Sequence, residues 1–324
     1  MRLRKSNALL LQIKLLKSMI VRMMVFSNNY TNKILKVLLP LLFGQSISIS
    51  IAAESLVQCP VESSELSDEK GSRRGGAETP VLRGHVYKDT PFKAGEKSKY
   101  DVYYLGMLVG KALLGVNPPA FYKGAYHSAF TADARTGDWY RYIFAAHDVL
   151  RAFANPRDLS AVSFYLSQQE GAMFGKQIKQ EKWFEFDHQQ CLVKEKIHDK
   201  NSGKVEKKEF SLQPGASDSL AALYKLRTYS FDKVGQRARY LVYSSEKTWW
   251  LEARVENFEK VTVPAGEFEA VKLKLQTFIG QELQQKGDVF LWFSKDSSRI
   301  LLKVSGQIKI GSVKMLLTSY APGK

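Results

Sequence analysis

The chain has 324 residues, of which 44% are hydrophobic and 12% aromatic, and its formal net charge at pH 7 is +16. Residues 1–53 contain eight of the 48 lysines and arginines and none of the 32 acids, so half of the net charge belongs to this segment. The remainder is moderately basic and its acids are interleaved with its lysines, which argues against nucleic acid as a partner. It is also long enough to bury a sizeable hydrophobic core.

Residues 1–53 are predicted to be an N-terminal targeting segment. Lys33 and Lys36 precede the apolar stretch Val37–Gly44, and Ser50 and Ala52 suit positions −3 and −1 of a signal-peptidase site. This order is typical of a signal peptide. It predicts an exported protein, located in the periplasm or associated with the outer envelope.

The residues before this signal allow two interpretations. Met23 or Met24 could begin a conventional signal peptide, in which case the gene model is too long at its start. Alternatively, the segment stays uncleaved as an anchor, although Lys14 and Lys17 make it too charged for an ordinary membrane span. Such an anchor is the one membrane contact that the sequence predicts.

Residues 54–80 are rich in serine, glycine and charge, which predicts a flexible linker. A single β-rich domain is expected to follow, over residues 81–324. The chain has two cysteines, Cys59 in the linker and Cys191 in the domain. An oxidising compartment would permit a disulfide between them but does not require one.

The first strands of the domain follow a period of two. Tyr100, Val102 and Tyr104 alternate with polar residues, the pattern is interrupted between Gly106 and Gly110, and it then resumes. Because side chains of a strand point alternately to its two faces, this pattern predicts a hairpin. Similar segments recur up to Tyr320 and give about a dozen candidate strands.

The segment "VPAGEFEAVKLKL" predicts another hairpin. Pro264 suits the first corner of a turn, and Gly266 can take the positive φ that closes a three-residue loop with a bulge. Ala270 and Val271 belong to opposite phases of the alternation, so a further bulge is expected near Ala270.

Helical patterns are scarce by comparison. The clearest is "SDSLAALYKLR", in which Asp218 can cap a helix whose apolar residues follow helical spacing. A second short helix is expected in "HDVLRAFANP", ended by Pro156. The predicted class is therefore mostly β, a strongly curved antiparallel sheet or open barrel-like β-meander with one or two short helices.

Four ordered motifs carry a family resemblance. They are "PFKAGEKSKYDVYYLGMLVGKALLGV", "DSLAALYKLRTYSF", "VTVPAGEFEAVKLKL" and "LWFSKDSSRILLKVSGQIKIGSVKMLL". In order and approximate spacing, residues 90–320 resemble the bacterial exported family catalogued as domain of unknown function 3108. The resemblance implies an envelope protein with a curved, barrel-like antiparallel sheet, and it implies no activity.

The sequence contains no recognisable catalytic motif, such as a nucleophile elbow, a phosphate loop or a His-Glu-x-x-His helix. His147 and Asp148 are adjacent, and neighbours in a helix or strand do not face each other. Asp187, His188 and Cys191 have a spacing that zinc could use, but no second cluster completes the site. No catalytic residue, metal or cofactor is therefore predicted.

Tryptophans are the other candidates for a site. Trp183, the adjacent pair Trp249 and Trp250, and Trp292 lie in three separate predicted strands and could line a ligand cavity or a sugar-binding surface. The alternative is that these large side chains fill the hollow of a curved sheet.

Two functional hypotheses remain. The first is a non-catalytic envelope protein that binds an apolar or glycan ligand or an envelope partner. The second is a hydrolase or transferase of polysaccharide or cell-wall material. Its acid/base groups would come from Asp148, Asp158, Glu170 or Asp218. Paired carboxylates in an aromatic groove would favour the enzyme.

Overall fold

The computed structural model describes residues 83–324 except 143, 173–176, 245, 281, 284–287 and 308–310. The predicted targeting segment (1–53) and linker (54–80) lie outside the described residues. Within them, sixteen strands form one sheet. The strands are β1 (Lys97–Tyr104), β2 (Met107–Tyr122), β3 (Ala125–Thr136), β4 (Phe144–Ala154), β5 (Ala161–Ala172), β6 (Ile178–Asp187), β7 (Leu192–Asp199), β8 (Val205–Ser211), β9 (Ser217–Asp218), β10 (Arg237–Ser244), β11 (Lys247–Val263), β12 (Gly266–Ile279), β13 (Glu282–Leu283), β14 (Val289–Ser294), β15 (Leu301–Gln307) and β16 (Ser312–Ala321).

The sheet is an antiparallel meander in which the first and last strands are neighbours. Its order runs from β8 back to β1, then to β16, β15, β14, β12, β11, β10 and β9, with β13 paired to β12. β9 and β10 form the one parallel pair among the described strands. β8 and β9 are the two edges, so the sheet is not closed. The predicted mostly-β class with a curved antiparallel sheet is confirmed.

The β1–β2 turn has two residues, because Tyr104 pairs directly with Met107. Leu105 and Gly106 both have positive φ, 50° and 82°, which is the geometry of a type I′ hairpin turn. Gly110 lies inside β2 rather than in this turn. A Cβ atom at Gly110 would be 2.5 Å from the carbonyl oxygen of Arg135, so the close approach of β3 requires glycine there.

The β11–β12 turn is one residue shorter than the sequence suggested. Val263 pairs with Gly266, which leaves Pro264 and Ala265 as the loop, and Gly266 has a φ of +134°. The bulge expected near Ala270 is wrong, because the register shift lies on β11, between Val255 and Asn257. Ala270 and its neighbour Val271 are both buried. The apolar alternation therefore shifts there because both faces of β12 are buried at this point, not because of a bulge.

The described residues contain one α-helix, α1 (Ser219–Thr228), as the "SDSLAALYKLR" pattern predicted. Asp218 caps it, since its carboxylate accepts the backbone N–H groups of Leu220 and Ala221 at 2.8 and 2.9 Å. Eight of its ten residues are buried. A helix that is covered on all sides lies inside a core, and α1 packs against β3, β4, β9 and β10 in the hollow of the sheet.

The second predicted helix is wrong, because residues 144–154 form strand β4. Exposed and buried residues alternate along it, so that His147 points outward and Asp148 inward. Its neighbours β3 and β5 satisfy its backbone groups along most of its length, and this pairing outweighs a short local helical preference.

The sheet is divided into two regions by its hydrophobic cores. The large core surrounds α1 and is formed by β1–β4, β10–β12 and β14–β16. We call this region, with β13 paired to β12, the body. A smaller core lies between β5–β8, which we call the wing, and β10. In this core Phe186 of the wing makes an edge contact with Tyr243 of the body, with ring centres 5.5 Å apart. The wing thus continues the same sheet but has a separate core.

Candidate functional site

The hollow of the body is occupied by side chains. Phe130 stacks on Tyr224 of α1 with ring centres 4.1 Å apart, and Phe92 packs edge-on against both rings. A cavity beside them, lined in part by Tyr100 and Arg227, has a volume of about 10 Å³. That is room for one water molecule. This part of the body is therefore a packed core.

A buried ion pair holds α1 in the hollow. The Arg227 and Glu96 side chains are 5% and 3% exposed, and the guanidinium contacts both carboxylate oxygens. Arg227 also donates to the Ser298 carbonyl at 2.8 Å, and the Tyr320 hydroxyl donates to Glu96 at 3.1 Å. Because the pair is bidentate and its remaining groups are partly satisfied, it fixes the position of the helix.

The helix end is held by a second arginine. Arg299 donates to the carbonyl of Arg227 at 3.0 Å and to the hydroxyl of Ser230 at 2.8 Å. A cation at a helix C-terminus pairs with carbonyl groups that have no partner within the helix. Arg299 therefore links the loop before β15 to α1.

A pocket of about 470 Å³ lies at one end of the sheet, and we call it the end pocket. It is enclosed by the β2–β3, β4–β5 and β6–β7 turns and by the β8–β9 loop. Most of its lining is polar or charged, including Lys123, Asn155, Asp158, Glu185, Asp187 and Lys194. Volumes of this size are usual for small-ligand sites.

His188 fastens two walls of the end pocket together. One ring nitrogen, Nε2, lies 2.7 Å from the Ala161 carbonyl, and Nδ1 accepts the backbone N–H of Gly215 at 3.2 Å. These contacts assign a neutral ring that donates from Nε2 and accepts at Nδ1. Both nitrogens are therefore engaged in joining the β6–β7 turn to β5 and to the β8–β9 loop.

The other residues of the suggested zinc spacing have structural partners as well. Asp187 accepts the backbone N–H groups of Gln189 and Gln190 at 3.0 and 2.8 Å, which forms the turn. Cys191 is disulfide-bonded, and the only other cysteine of the chain, Cys59, lies outside the described residues. In the part of the chain that the structure describes, no three acidic, histidine or cysteine side chains are grouped to hold a metal ion.

The remaining polar groups of the end pocket are arranged by turns and an ion pair. Asp158 accepts the backbone N–H and the hydroxyl of Ser160 at 3.0 and 2.8 Å. Glu185 lies 3.1 Å from the Lys123 ammonium. His127 contacts the Tyr122 carbonyl through Nε2 at 3.0 Å, and burial lowers the pKa of its ring. The pocket thus presents carboxylates, an amide, ammonium groups and a neutral imidazole.

The candidate tryptophans do not come together. Trp183 lies on the opposite face of β6 from the wing core and contacts Tyr165, with ring centres 5.6 Å apart. Trp249 donates to the Ser244 carbonyl at 2.8 Å, and Trp250 lies under the Arg239 guanidinium. Trp292 is 5% exposed and donates to Glu259 at 2.6 Å. None lines the end pocket, and their role in ligand binding stays a prediction.

Three of the four acids suggested for acid/base chemistry lie inside the protein. Asp148 is 0% exposed, and burial followed by the charge of neighbouring Glu170 raises its pKa to about 8. Glu170 accepts a hydrogen bond from Gln168 at 2.6 Å. Burial also raises the pKa of Asp218, the helix cap, to about 7. Only Asp158 of the four lines the end pocket.

Sequence reasoning missed most of the end pocket. Its residues come from turns that are distant in the sequence, and hydrophobic periodicity carries no signal for which turns meet at one end of a sheet. Asn155, for example, precedes β5, whereas Gly215 lies 60 residues later. Among the described residues, no helix has the length and apolar composition needed to span a membrane.

The chain belongs to the family described as "Protein of unknown function (DUF3108)", whose profile matches residues 99–318. The suspected family is thereby confirmed. No curated protein matches the chain.

The chain also matches solved structures at very low sequence identity. One is a β-barrel-like protein of domain of unknown function DUF1849 from Brucella abortus. It has 8% identity and a TM-score of 0.46, over 71% of this chain and 98% of that chain. Another is a "putative exported protein with YmcC-like fold" from Bacteroides fragilis. It has 11% identity and a TM-score of 0.30, over 72% of this chain and 98% of that chain.

Proposed function

We propose that this member of the DUF3108 family is an exported, non-catalytic envelope protein that binds a polar ligand of the glycan class in the end pocket. The observation that carries the proposal is the contrast between two spaces. The cavity beside α1 has room for one water, whereas the end pocket has about 470 Å³ and opens at the surface.

The lining of the end pocket favours a glycan over an apolar ligand. Asp158, Glu185 and Asp187 supply acceptors, and Asn155 and Lys194 supply donors. Sugar hydroxyls both donate and accept, so they match such a mixed set. Phe186 adds one ring to the lining, but an apolar ligand would leave the surrounding charges without partners.

The partners of these acids support binding rather than catalysis. Asp158 and Asp187 are engaged in backbone turns and Glu185 in an ion pair with Lys123, so each already has a structural role. A general acid must retain a proton near neutral pH. Burial raises the pKa of Asp148 to about 8 and that of Asp218 to about 7, but both carboxyls are buried and neither lines the end pocket.

Export rests on the arrangement of Lys33, Lys36, the apolar stretch Val37–Gly44 and the Ser50/Ala52 cleavage site. The expected mature chain begins at Ala53 or Glu54. N-terminal sequencing of the protein purified from the cell envelope measures this directly. A full-length product in the cytoplasm would contradict export.

The binding proposal is tested by calorimetric titration of the purified domain with oligosaccharides released from peptidoglycan and from lipopolysaccharide cores. Asn155→Ala combined with Asp158→Asn should lower the affinity for the bound oligosaccharide at least tenfold, because it removes a donor and a charge from the lining. Asp232→Asn, an exposed change in another loop, is the matched control.

Two results would contradict the proposal. Equal affinity in the double variant and the control would show that the oligosaccharide binds outside the end pocket. If neither oligosaccharide pool binds, the proposal of a glycan ligand is wrong. Product analysis of the same mixtures by mass spectrometry tests the other part, since cleavage of the sugar would show an enzyme.

A further inference from the structure

A ladder of cationic and aromatic side chains crosses the outer face of the body, far in sequence from the end pocket. Lys272 of β12 pairs directly with Trp292 of β14, which pairs with Lys303 of β15. Directly paired residues of adjacent strands project from the same face of a sheet. The two lysines therefore lie on either side of one indole.

The ammonium groups lie close to the rings. The Lys303 Nζ atom is 4.3 Å and the Lys272 Nζ atom 5.4 Å from the centre of the Trp292 ring. Lys272 is also 4.6 Å from the centre of the Phe290 ring. Attraction to the ring faces limits the positions that these flexible side chains adopt. The cations are thus partly ordered before any ligand arrives.

A third lysine adds to the positive charge. Lys314 of β16 pairs with Ser305, two residues after Lys303, and lies on the same face. Burial, followed by the charge of Lys314, lowers the pKa of Lys303, while Glu259 acts in the opposite direction. Like charges are therefore held near each other at a half-buried position.

The countercharge at this face is incomplete. Within the described residues, Lys272, Lys303 and Lys314 have no carboxylate within ion-pair distance. Glu259 is the neighbouring acid, and one of its oxygens accepts the Trp292 indole N–H at 2.6 Å. Lys274, two residues further along β12, shows the usual arrangement, since it pairs with Asp288 at 2.8 Å.

We propose that Lys272, Lys303 and Lys314 form a binding site for a phosphate group. Each ammonium group has three donors, and phosphate offers several strong acceptor oxygens and close to two negative charges near neutral pH. A phosphate therefore supplies the charge that one glutamate does not, and charge-assisted hydrogen bonds are the stronger kind. The same chemistry fits free phosphate and a phosphorylated lipid headgroup.

The experiment is a calorimetric titration at constant ionic strength with two probes, inorganic phosphate and dihexanoyl phosphatidic acid. The variant is Lys272→Gln with Lys303→Gln, which keeps each side chain polar, shortens it by one atom and removes the charge. Lys97→Gln with Lys233→Gln, two exposed lysines outside the ladder, is the matched control. Constant ionic strength matters because salt screens exposed charges.

We expect the wild type to bind at least one probe, the ladder variant to bind it at least tenfold more weakly, and the control to match the wild type. Equal affinity for both probes would show that the site recognises the phosphate group itself. Binding of phosphatidic acid without binding of inorganic phosphate would show that the site recognises a phosphorylated lipid headgroup. Failure of both probes to bind, or unchanged affinity in the ladder variant with an unchanged thermal melt, would overturn the proposal. The end-pocket variant should keep full phosphate affinity, which separates this site from the proposed glycan site.

Discussion

The body and the wing belong to one meander, but they cover their inner faces in different ways. In the body, the hollow of the sheet is filled by α1, of which eight of ten residues are buried. In the wing, Gln168, Glu170 and Glu195 are buried, and the Gln168 amide donates to Glu170 at 2.6 Å. Alternation along a strand therefore shows that one face is covered, but not by what. Both regions bury polar groups at a cost, and in the body the charges of Arg227 and Glu96 compensate each other.

The largest expected effect tests the anchoring of the body. Arg227→Met leaves Glu96 buried without its partner and should lower the free energy of unfolding by about 3 to 5 kcal/mol. Adding Glu96→Leu should recover part of this loss, because the uncompensated charge is then removed. Urea melts measure both variants. A loss below about 1 kcal/mol for Arg227→Met would show that α1 is not held by this pair.

The next effect compares the same residue type in the two regions. Trp292→Ala in the body should lower the unfolding free energy by about 3 kcal/mol or more, since a buried indole leaves a void. Trp183→Ala in the wing should cost clearly less, because that indole is half-exposed. Thermal melts of both variants give the comparison. Equal losses would mean that the wing is packed as firmly as the body.

The smallest effect concerns the boundary between the regions, where Asp148 of β4 lies near Glu170 of β5. The pKa of Asp148 in the folded state is raised to about 8, so the fold prefers the protonated carboxyl. The stability that this carboxyl contributes is fully present below its unfolded-state pKa and is lost as the pH rises towards 8. Asp148→Asn imitates the protonated carboxyl. It should therefore stabilise the protein by on the order of 1 to 2 kcal/mol at pH 8 and by less at pH 4.

Chemical denaturation between pH 4 and pH 9 checks this prediction, with Asp232→Asn as the control. A stability difference between Asp148→Asn and the wild type that stays constant over this range would show that Asp148 does not titrate at the boundary. A variant that is less stable than the wild type at pH 8 would show that the ionised form is the one that the fold prefers.

Local patterns were sufficient for the existence of the two hairpins and of α1, but not for the loop length or the bulge position in the β11–β12 hairpin. Asp218 predicts the start of α1 because its side chain caps backbone N–H groups within the next three residues. Gly106 predicts the β1–β2 turn because a positive φ is a property of the single residue that adopts it. The misread segment is β4, whose apolar spacing is also compatible with a helix. Residues 144–154 form a strand rather than a helix because they pair with β3 and β5, and the local pattern contains no information about those partners.

The candidate sites depended on contacts between distant residues. Glu96 and Arg227 are 131 positions apart, and no periodicity relates them. Trp292 was singled out as a large aromatic residue, but its two lysines come from other strands and are brought to it by register alone. The sequence therefore indicated which residue types matter, while the sheet determined which of them meet.

The pairing of β1 with β16 has a consequence for how the chain acquires its structure. Lys97 of β1 pairs with Ala321 of β16, so the centre of the sheet is completed only after the strands between them have been made. Contacts between such distant segments slow folding, because a long loop must close first. A chain lacking β16 would leave β1 and β15 as open edges that can pair with other molecules. Deletion of the ten residues of β16 should therefore favour aggregation far more than the small size of the deletion suggests.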